Sequence, residues 1–369
     1  MPKVHWKRGL VLSALVLAVF SGLTWLALVL KIDFRVGDLF FREDGGWVFR
    51  NDHPWKLLYQ YGTIPGLLLT LTCLVVFFLG FVRQRLRGYQ KYMLVVVLTA
   101  ILGAGLLVNG ILKPYCGRPR PREVKQFGGQ WEYCLPCQLN RPVKGNSFPC
   151  GHCTMGFLFI TLAFCAPRNR FLGYGGAGFG LAYGTLLSIT RAVQGAHFAT
   201  DALWSLGTIL LVAILVHDII LPFIERSLIL SRELSRRQLW LSGACIVLIC
   251  AGVTAAFLTR RPYVNHSSMK LHVSDQIRQV VIQANVDFSK QEIVYSRRPA
   301  RLSVLAQGFG WFNAEEKIDF DSVTEDQRLR ITITATPRSY FSELHHEFSL
   351  RLPRSLKDRI NVEISPRQP

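Results

Sequence analysis

The stretch MLVVVLTAILGAGLLVNGIL, residues 93–112, decides the fold class, because it is long, apolar and free of charged side chains. A helix of about 20 apolar residues matches the roughly 30 Å hydrocarbon core of a bilayer, so this stretch predicts a membrane-spanning helix. Similar apolar runs predict six further spans, at about 9–30, 59–82, 152–167, 171–190, 202–224 and 239–258.

Composition agrees with a membrane protein. Half of the 369 residues are hydrophobic, and the mean hydropathy is +0.25. Lys and Arg number 43 against 24 Asp and Glu, which gives a net charge of +19. Such a charge fits nucleic acid, a membrane surface or anionic substrates. The apolar runs argue against nucleic acid, so we expect the membrane and an anionic substrate as partners.

Basic residues recur in every second connection between the spans. They are Lys3, Lys7 and Arg8; Arg83, Arg85, Arg87 and Lys91; Arg168 and Arg170; and Arg226, Arg232, Arg236 and Arg237. Cytoplasmic loops carry such an excess of Lys and Arg, so the N-terminus is predicted to be cytoplasmic in an inner (plasma) membrane protein. The loops 31–58, 113–151 and 191–201 and the tail from 259 are then extracytoplasmic. The loop 31–58 is expected either to lie on the headgroups or to cap the bundle.

The tail changes character. Alternating or β-branched segments predict strands at Gln279–Asn285, Gln291–Ser296, Arg328–Ala335, Glu347–Leu352 and Asn361–Ile364. They indicate a small β-rich soluble domain, for which a sandwich is the candidate fold and an envelope protein the candidate partner. The predicted fold is an all-α transmembrane bundle of six spans plus a seventh, followed by this domain. The predicted divisions are an anchor span and interfacial loop (1–56), a core (57–225), a basic loop and seventh span (226–259), and the β-rich domain (260–369).

Three polar clusters lie at the extracytoplasmic ends of the predicted spans. The first is Lys113–Arg122, the second Ser147–His152, and the third Thr190–Asp201. Because the predicted topology puts all three on one face, their side chains can form one site.

The residue types in these clusters suit a phosphate group. Arg offers paired donors and Lys a point charge, which makes Lys113, Arg120 and Arg191 candidate phosphate ligands. Gly151 exposes a backbone N–H at a predicted helix start. His197 and Asp201 are four residues apart, so Asp201 can accept one ring N–H and leave the other nitrogen of His197 basic.

The spacing resembles the type 2 phosphatidic acid phosphatase superfamily, whose pattern is K-x6-R-P, then P-S-G-H, then S-R-x5-H-x3-D. Here it reads Lys113…Arg120-Pro121, Pro149-Cys150-Gly151-His152 and Thr190-Arg191…His197…Asp201. The resemblance covers roughly residues 57–224 and not the tail. The run Gly117–Pro121 with Phe127-Gly128-Gly129 is similar to that in bacterial lipid A phosphatases and undecaprenyl pyrophosphate phosphatases.

The resemblance implies a role for each residue. His197 attacks phosphorus to form a phosphohistidine, Asp201 orients it, and His152 acts as general acid and then base. Lys113, Arg120, Arg191, Cys150 and the Gly151 N–H surround the phosphoryl oxygens, with no metal or cofactor. The implied function is a lipid phosphatase acting on a phosphomonoester or pyrophosphate at the extracytoplasmic face. Candidate substrates are lipid A, undecaprenyl pyrophosphate, phosphatidylglycerol phosphate and phosphatidic acid.

Two positions depart from the pattern. Thr190 for Ser keeps the hydroxyl, whereas Cys150 for Ser replaces a hydroxyl donor by a weak thiol donor. We expect reduced but real activity, because one neutral hydrogen bond contributes only about 0.5–1.5 kcal/mol. Oxidation of Cys150 with Cys153 could gate the site.

Several alternatives stay open on sequence alone. They are a phosphotransferase with the same site, a vanadate-dependent haloperoxidase, and a catalytically degenerate membrane scaffold. Cys116, Cys134 and Cys137 allow a loop disulfide and, less favourably, zinc. Arg118 and Arg122 are interpreted as solvated or headgroup-binding residues.

Overall fold

The structure is a computed structural model with two compact units, Met1–Cys250 and Ala251–Pro369. It describes residues 6–222 apart from 44–45, 51, 130 and 139–144; single positions 241, 244, 248 and 252; and residues 261–366 apart from 275, 287, 297, 311–313, 339–340 and 358. The predicted seventh span and the basic loop before it therefore lie outside the described residues, apart from those single positions.

The first unit is helical. Its α-helices are α1 (Trp6–Val29), α2 (Ile32–Phe40), α3 (Trp55–Tyr61), α4 (Ile64–Leu79), α5 (Gln84–Arg87), α6 (Gln90–Thr99), α7 (Lys113–Cys116), α8 (Gly151–Phe157), α9 (Gly176–Val193) and α10 (Ala199–Leu215). Several of them continue as π-helix, at Ala100–Leu112, Phe171–Gly175 and Val216–Ile220, or as 3₁₀-helix, at Leu158–Cys165. Short 3₁₀ turns stand at Pro121–Glu123 and Lys125–Phe127, and a two-residue hairpin pairs β1 (Phe41–Arg42) with β2 (Gly46–Trp47).

Four helical segments in the described part of the chain are long and apolar enough to cross a membrane: Trp6–Val29, Trp55–Leu79, Gln90–Leu112 and Ala199–Ile220. The predicted fourth and fifth spans are also helical, at Gly151–Cys165 and Phe171–Val193, and the former is shorter. On α1 large apolar side chains such as Leu15 and Leu23 are exposed, as lipid-facing residues are. The chain is a multi-pass membrane protein.

Glycines allow the helices around α8 and α9 to approach closely. A Cβ on Gly184 would lie 2.1 Å from the Phe157 ring, and one on Gly180 would lie 2.5 Å from the Ile160 nitrogen. Small residues permit such contacts between membrane helices. Gly175 and Gly178, in the same glycine-rich run, have no such neighbour within 4 Å. Only some glycines of this run, residues 173–184, therefore serve close helix packing.

The second unit consists of two four-stranded sheets. Its strands are β3 (Arg261–Lys270), β4 (Gln279–Ala284), β5 (Phe288–Ser296), β6 (Arg301–Gly310), β7 (Glu316–Glu325), β8 (Arg328–Pro337), β9 (Phe341–Pro353) and β10 (Asn361–Pro366). The order is β10-β4-β8-β7 in one sheet and β3-β6-β9-β5 in the other. The pairs β10–β4, β4–β8 and β5–β9 are parallel, and β3–β6, β6–β9 and β7–β8 are antiparallel.

Alternate residues of both sheets meet in one core, as in a sandwich. On β8 the burial alternates, so that Ile331 and Ile333 face inward. Leu302 and Leu350 come from the other sheet into the same cluster. The five predicted strands are confirmed, with somewhat different ends. The strands β3, β6 and β7 were missed, because their apolar alternation is interrupted by polar residues and glycine.

The sandwich core generates a stability prediction. Phe348 is buried, and its ring centroid lies 5.1 Å from that of Phe288. Phe348→Ala should destabilise the second unit by about 3–5 kcal/mol, because it leaves a cavity between the sheets. Urea-dependent proteolysis of the detergent-solubilised chain measures this change. Val323→Ala, at an exposed site on β7, is the control and should cost no more than about 0.5 kcal/mol. Equal losses in the two variants would contradict the assigned core.

Candidate functional site

A fully buried carboxylate, Asp201, lies at the centre of the site in the first turn of α10. One oxygen, Oδ2, accepts a hydrogen bond from the Ser147 hydroxyl at 2.5 Å and one from the Phe198 backbone N–H at 2.8 Å. The other oxygen, Oδ1, accepts from the Arg118 guanidinium. A buried charge is tolerated only with such partners, so this carboxylate holds together segments that are far apart in sequence.

The same contacts orient the imidazole of His197. Its Nδ1 lies 2.6 Å from the Ser147 carbonyl oxygen. Because a carbonyl can only accept, Nδ1 carries the proton in the neutral ring, and Nε2 keeps its lone pair. Asp201 Oδ2 lies 3.6 Å from the same Nδ1. The sequence predicted that Asp201 accepts this proton directly. In the structure the Ser147 carbonyl accepts the hydrogen bond from Nδ1, and the Asp201 carboxylate lies at ion-pair distance from the same nitrogen.

The first motif runs alongside the loop that carries His197. The Ser147 N–H donates to the Arg118 carbonyl at 3.0 Å, and the Arg122 N–H donates to the Gly195 carbonyl at 3.0 Å. Arg120 lies between these two anchors and is mostly buried. Gly195 has a φ of +58°, and a Cβ there would lie 2.3 Å from the Trp47 ring. The hairpin that carries Trp47 therefore packs on this loop, which supports the capping interpretation of residues 31–58.

Gly151 opens α8 beside the lysine of the first motif. A Cβ on Gly151 would lie 3.2 Å from the Lys113 ammonium nitrogen and 3.2 Å from Asn109 Oδ1. The absence of a side chain thus leaves room for the ammonium group to approach the start of α8. The structure brings together the predicted residues Lys113 and Gly151.

Tyr59 of α3 joins the two remaining candidates. The His152 ring stacks on it with centroids 5.5 Å apart, and the Arg191 guanidinium carbon lies 4.6 Å from its ring centroid. His152 Nε2 is 3.1 Å from the Tyr59 carbonyl, to which it donates. Arg191 Nη1 donates to Gln194 Oε1 at 2.9 Å.

Cys150 caps α8 and is completely buried, with Sγ accepting from the Cys153 N–H at 3.3 Å. Burial by itself raises the pKa of the Cys150 thiol. Hydrogen bonding with Cys153, the charge and hydrogen bonding of His197 in its protonated form, and the positive charge of Arg191 outweigh burial and hold that pKa well below its ordinary value. The thiol therefore stands next to the predicted nucleophile, at the position where the resemblance expects a neutral hydroxyl donor.

Arg118 is not solvated, so the sequence interpretation of this residue was wrong. It is 1% exposed, and it donates to Asp33, Asp201, Thr200, Tyr133 and the Cys134 carbonyl. Burial lowers the pKa of Arg118, but the two carboxylates outweigh burial and raise it above its ordinary value. Arg122 is also buried, not solvated.

Four residues of the site were missed by sequence reasoning: Asp33, Tyr59, Arg118 and Ser147. Ser147 and Arg118 stand inside the quoted motif stretches, but spacing alone gives no sign of their contacts with Asp201. Asp33 and Tyr59 come from the N-terminal part of the chain, where nothing local marks them. Cys116, Cys134 and Cys137 are free thiols here, without the disulfide considered from sequence.

Comparisons with known proteins agree with the motifs. Residues 91–224 match the model of the PAP2 superfamily. Over 138 residues the chain is 33% identical to the lipid A 4'-phosphatase of Francisella tularensis subsp. novicida (strain U112). The matched segment covers 35% of this chain and 60% of that protein. Over 121 residues it is 33% identical to the lipid A 4'-phosphatase of Rhizobium leguminosarum, which covers 32% of this chain and 51% of that protein.

The chain thus spans between about half and three fifths of the length of these curated relatives. Among solved structures, it resembles the transmembrane PAP2-type phosphatidylglycerolphosphate phosphatase of Bacillus subtilis, with a TM-score of 0.36 and 21% sequence identity. That match covers 59% of this chain and 98% of the solved chain. The resemblance to the PAP2 superfamily inferred from the three motifs is confirmed.

The lowered pKa of Cys150 predicts a pH effect on anion binding. Above that pKa a thiolate occupies the site and repels a tetrahedral dianion, so sulfate binding should weaken as the pH rises through it. Cys150→Ser removes this ionisation, so its sulfate affinity should stay constant over the pH range in which that of the wild type falls. Calorimetry of the detergent-solubilised chain between pH 5 and 9 measures both effects. Cys137→Ser, at an exposed thiol, should keep the wild-type profile. Identical profiles for the Cys150 and Cys137 variants would contradict the assignment.

Proposed function

Because residues 91–224 match the PAP2 superfamily model, we propose that the chain is a membrane lipid phosphatase whose nucleophile is His197. One observation carries the proposal. The Nδ1 proton of His197 is held by the Ser147 carbonyl, so Nε2 presents a lone pair, while the buried Asp201 carboxylate stands 3.6 Å from Nδ1. An imidazole fixed in this way is suited to nucleophilic attack.

In the first step Nε2 of His197 attacks phosphorus, and the bond between phosphorus and the lipid oxygen breaks. His152, which lies next to Gly151 at the start of α8, begins the step doubly protonated and gives its Nδ1 proton to the departing lipid oxygen, while the Nε2–H stays on the Tyr59 carbonyl. The phosphohistidine that forms carries positive charge on the ring. The Asp201 carboxylate stabilises that charge, and its other partners keep it from moving away.

In the second step His152 removes a proton from water, and the water oxygen attacks the phosphohistidine. The bond between phosphorus and Nε2 breaks, inorganic phosphate leaves, and His197 returns to its starting form. One carboxylate and one imidazole thereby serve both half-reactions, because the acid of the first step is the base of the second.

Fixed cations stabilise the phosphoryl oxygens in both steps. We assign this role to Lys113, Arg120 and Arg191, together with the Gly151 N–H. Arg191 is held by Gln194 and by the Tyr59 ring, so its guanidinium is oriented before substrate arrives. The Cys150 thiol takes the place of a hydroxyl donor; it can donate a weak hydrogen bond only in its protonated form, below its lowered pKa. The proposed reaction uses no metal ion, and activity should persist in EDTA.

For the substrate we propose a phosphorylated lipid, with lipid A first, because both curated relatives carry the name lipid A 4'-phosphatase. Undecaprenyl pyrophosphate, phosphatidylglycerol phosphate and phosphatidic acid are the other members of the test panel. We place the site on the extracytoplasmic face of the inner membrane, in a bundle of six spans plus a seventh. The alternation of basic loops supports this orientation.

Removal of the two histidines should have different effects. His197→Ala should abolish phosphate release, because no nucleophile remains. His152→Ala should lower kcat by about 10²–10⁴-fold, as expected for loss of a general acid. Both are measured as phosphate released from the lipid panel by the purified chain. His272→Ala, in the second unit, is the matched control and should keep wild-type activity.

The intermediate itself provides a sharper test. After incubation with a ³²P-lipid, the wild-type protein should carry a phosphoryl label that is labile in acid and stable in base. The label should accumulate in a variant slowed in the second step and be missing from His197→Ala. Label that moves from the protein to a second lipid would show phosphotransfer instead of hydrolysis. Absence of any label and of any phosphate release across the panel would overturn the proposed activity.

The proposed orientation has a native reporter, the exposed thiol of Cys137 in the loop 113–151. A membrane-impermeant maleimide should label it in spheroplasts, because that loop faces outward in the proposed topology. Cys137→Ser should remove the label. Arg170→Cys in that background should react only in inverted vesicles, since residue 170 lies in a proposed cytoplasmic loop. The reverse pattern would place the site on the cytoplasmic side.

A further inference from the structure

A second buried carboxylate, Asp33 of α2, lies behind the site and is 4% exposed. Its Oδ2 accepts from the Arg118 guanidinium at 2.8 Å, the Tyr133 hydroxyl at 2.8 Å and the Thr200 hydroxyl at 2.6 Å. Its Oδ1 accepts from the Thr200 N–H at 2.9 Å, in the first turn of α10. Asp33 precedes the segment that matches the PAP2 superfamily model, so that match assigns it no role.

Arg118 is divided between the two carboxylates. Its Nη2 donates to Asp33 and its Nη1 to Asp201, while its Nε donates to the Cys134 carbonyl at 2.8 Å. The guanidinium also lies over the Phe198 ring, with 4.4 Å between its carbon and the ring centroid. Every edge of this cation is occupied, so it is unavailable to bind a phosphoryl group.

Because Arg118 contacts both carboxylates, it binds only Oδ1 of Asp201, and Oδ2 remains directed at His197. Oδ2 receives only neutral donors, the Ser147 hydroxyl and the Phe198 N–H, and it is the oxygen that faces His197 Nδ1. If Asp33 were neutral, the guanidinium would be free to turn both arms toward Asp201. The paired geometry of Arg with carboxylate favours that rearrangement.

We propose that Asp33 is a positioning residue of the catalytic centre: it holds one arm of Arg118 so that Asp201 keeps an oxygen directed at His197. This role rests on the proposed phosphohistidine chemistry and adds to it a residue from the N-terminal segment. Asp33 touches no reacting atom. It acts through Arg118 and through Thr200, whose backbone it anchors at the start of the helix that carries Asp201.

Asp33→Asn tests the role with little change in shape. Outer carboxylates that orient catalytic groups are worth about 10–100-fold, so kcat for phosphate release should fall by that factor while KM changes less than about twofold. Asp38→Asn is the matched control, because Asp38 is exposed on the same helix. It should keep the wild-type kcat. A wild-type kcat in Asp33→Asn, or a loss seen only in KM, would overturn the proposal.

Vanadate binding separates this proposal from the activity on which it rests. Vanadate takes a trigonal bipyramidal geometry on a histidine nitrogen, so its affinity depends on how His197 is held, whereas sulfate depends mainly on the cations. In calorimetry with the full-length chain, Asp33→Asn should lose about tenfold in vanadate affinity and keep its sulfate affinity. If Asp33→Asn lost affinity equally for both anions, or kept its affinity for both, the positioning role would be overturned. Wild-type protein that binds vanadate but hydrolyses no lipid would reject the proposed function alone.

Two further tests probe the relay through Arg118, and the first of them does not require Asp33→Asn to fold. Tyr133→Phe removes one hydroxyl that contacts Asp33 and Arg118 at 2.8 and 3.0 Å, and it should lower kcat by about two- to fivefold at unchanged KM. In an Arg118→Gln background, Asp33→Asn should add less than twofold, because residues that act as one unit are not additive. Fully multiplicative losses, or an unchanged kcat in Tyr133→Phe, would reject the relay through Arg118.

Discussion

The structure around the site depends on the burial of one carboxylate. Asp201 is fully buried, and removing a charge from water costs several kcal/mol unless partners replace the lost solvation. Its partners come from three parts of the chain: Arg118 after the third apolar helix, Ser147 before α8, and Phe198 in the loop between α9 and α10. The need to neutralise this charge therefore fixes three connections against each other, and the position of His197 follows from them.

The membrane adds a second constraint. Within a bilayer every backbone polar group must be satisfied by the segment itself, which leaves helices as the spanning elements and moves polar chemistry to their ends. Lys113 follows one apolar helix, Gly151 begins another, and Asp201 lies in the first turn of a third. These helix ends lie close together, since a Cβ on Gly151 would lie 3.2 Å from the Lys113 ammonium nitrogen. The close glycine contacts between α8 and α9 have the same effect, since they reduce the distance between the elements that carry His152 and Arg191.

The amino-acid sequence was sufficient to predict the helical segments, and insufficient to predict the contacts that support the candidate site. Apolar runs predicted seven spans, and the six that fall within the described residues are helical, because membrane spans depend on local composition. The spacing of Lys113, Gly151 and His197 predicted a shared site, and the chemistry of these residues stays a prediction. The roles of Ser147 and Asp33 could not be predicted, because they come from contacts between distant parts of the chain. Ser147 contacts Asp201, 54 positions away, and Asp33 contacts Thr200, 167 positions away. The same holds for Arg118, whose burial contradicts the solvated state that its charge alone indicates. In the second unit, strands with clear alternation were found and the more polar β3, β6 and β7 were not.

The candidate site draws on two parts of the chain. The residues to which we assign the reaction lie within residues 91–224, the segment that matches the superfamily model. Three supports lie before it: Asp33 on Arg118, Trp47 against the Gly195 loop, and Tyr59 between His152 and Arg191. A substitution in the N-terminal segment can therefore change the orientation of a residue of the candidate site without altering the three motifs. The geometry of this site is thus set partly outside the segment that the superfamily model describes, because Asp33, Trp47 and Tyr59 contact it from before that segment.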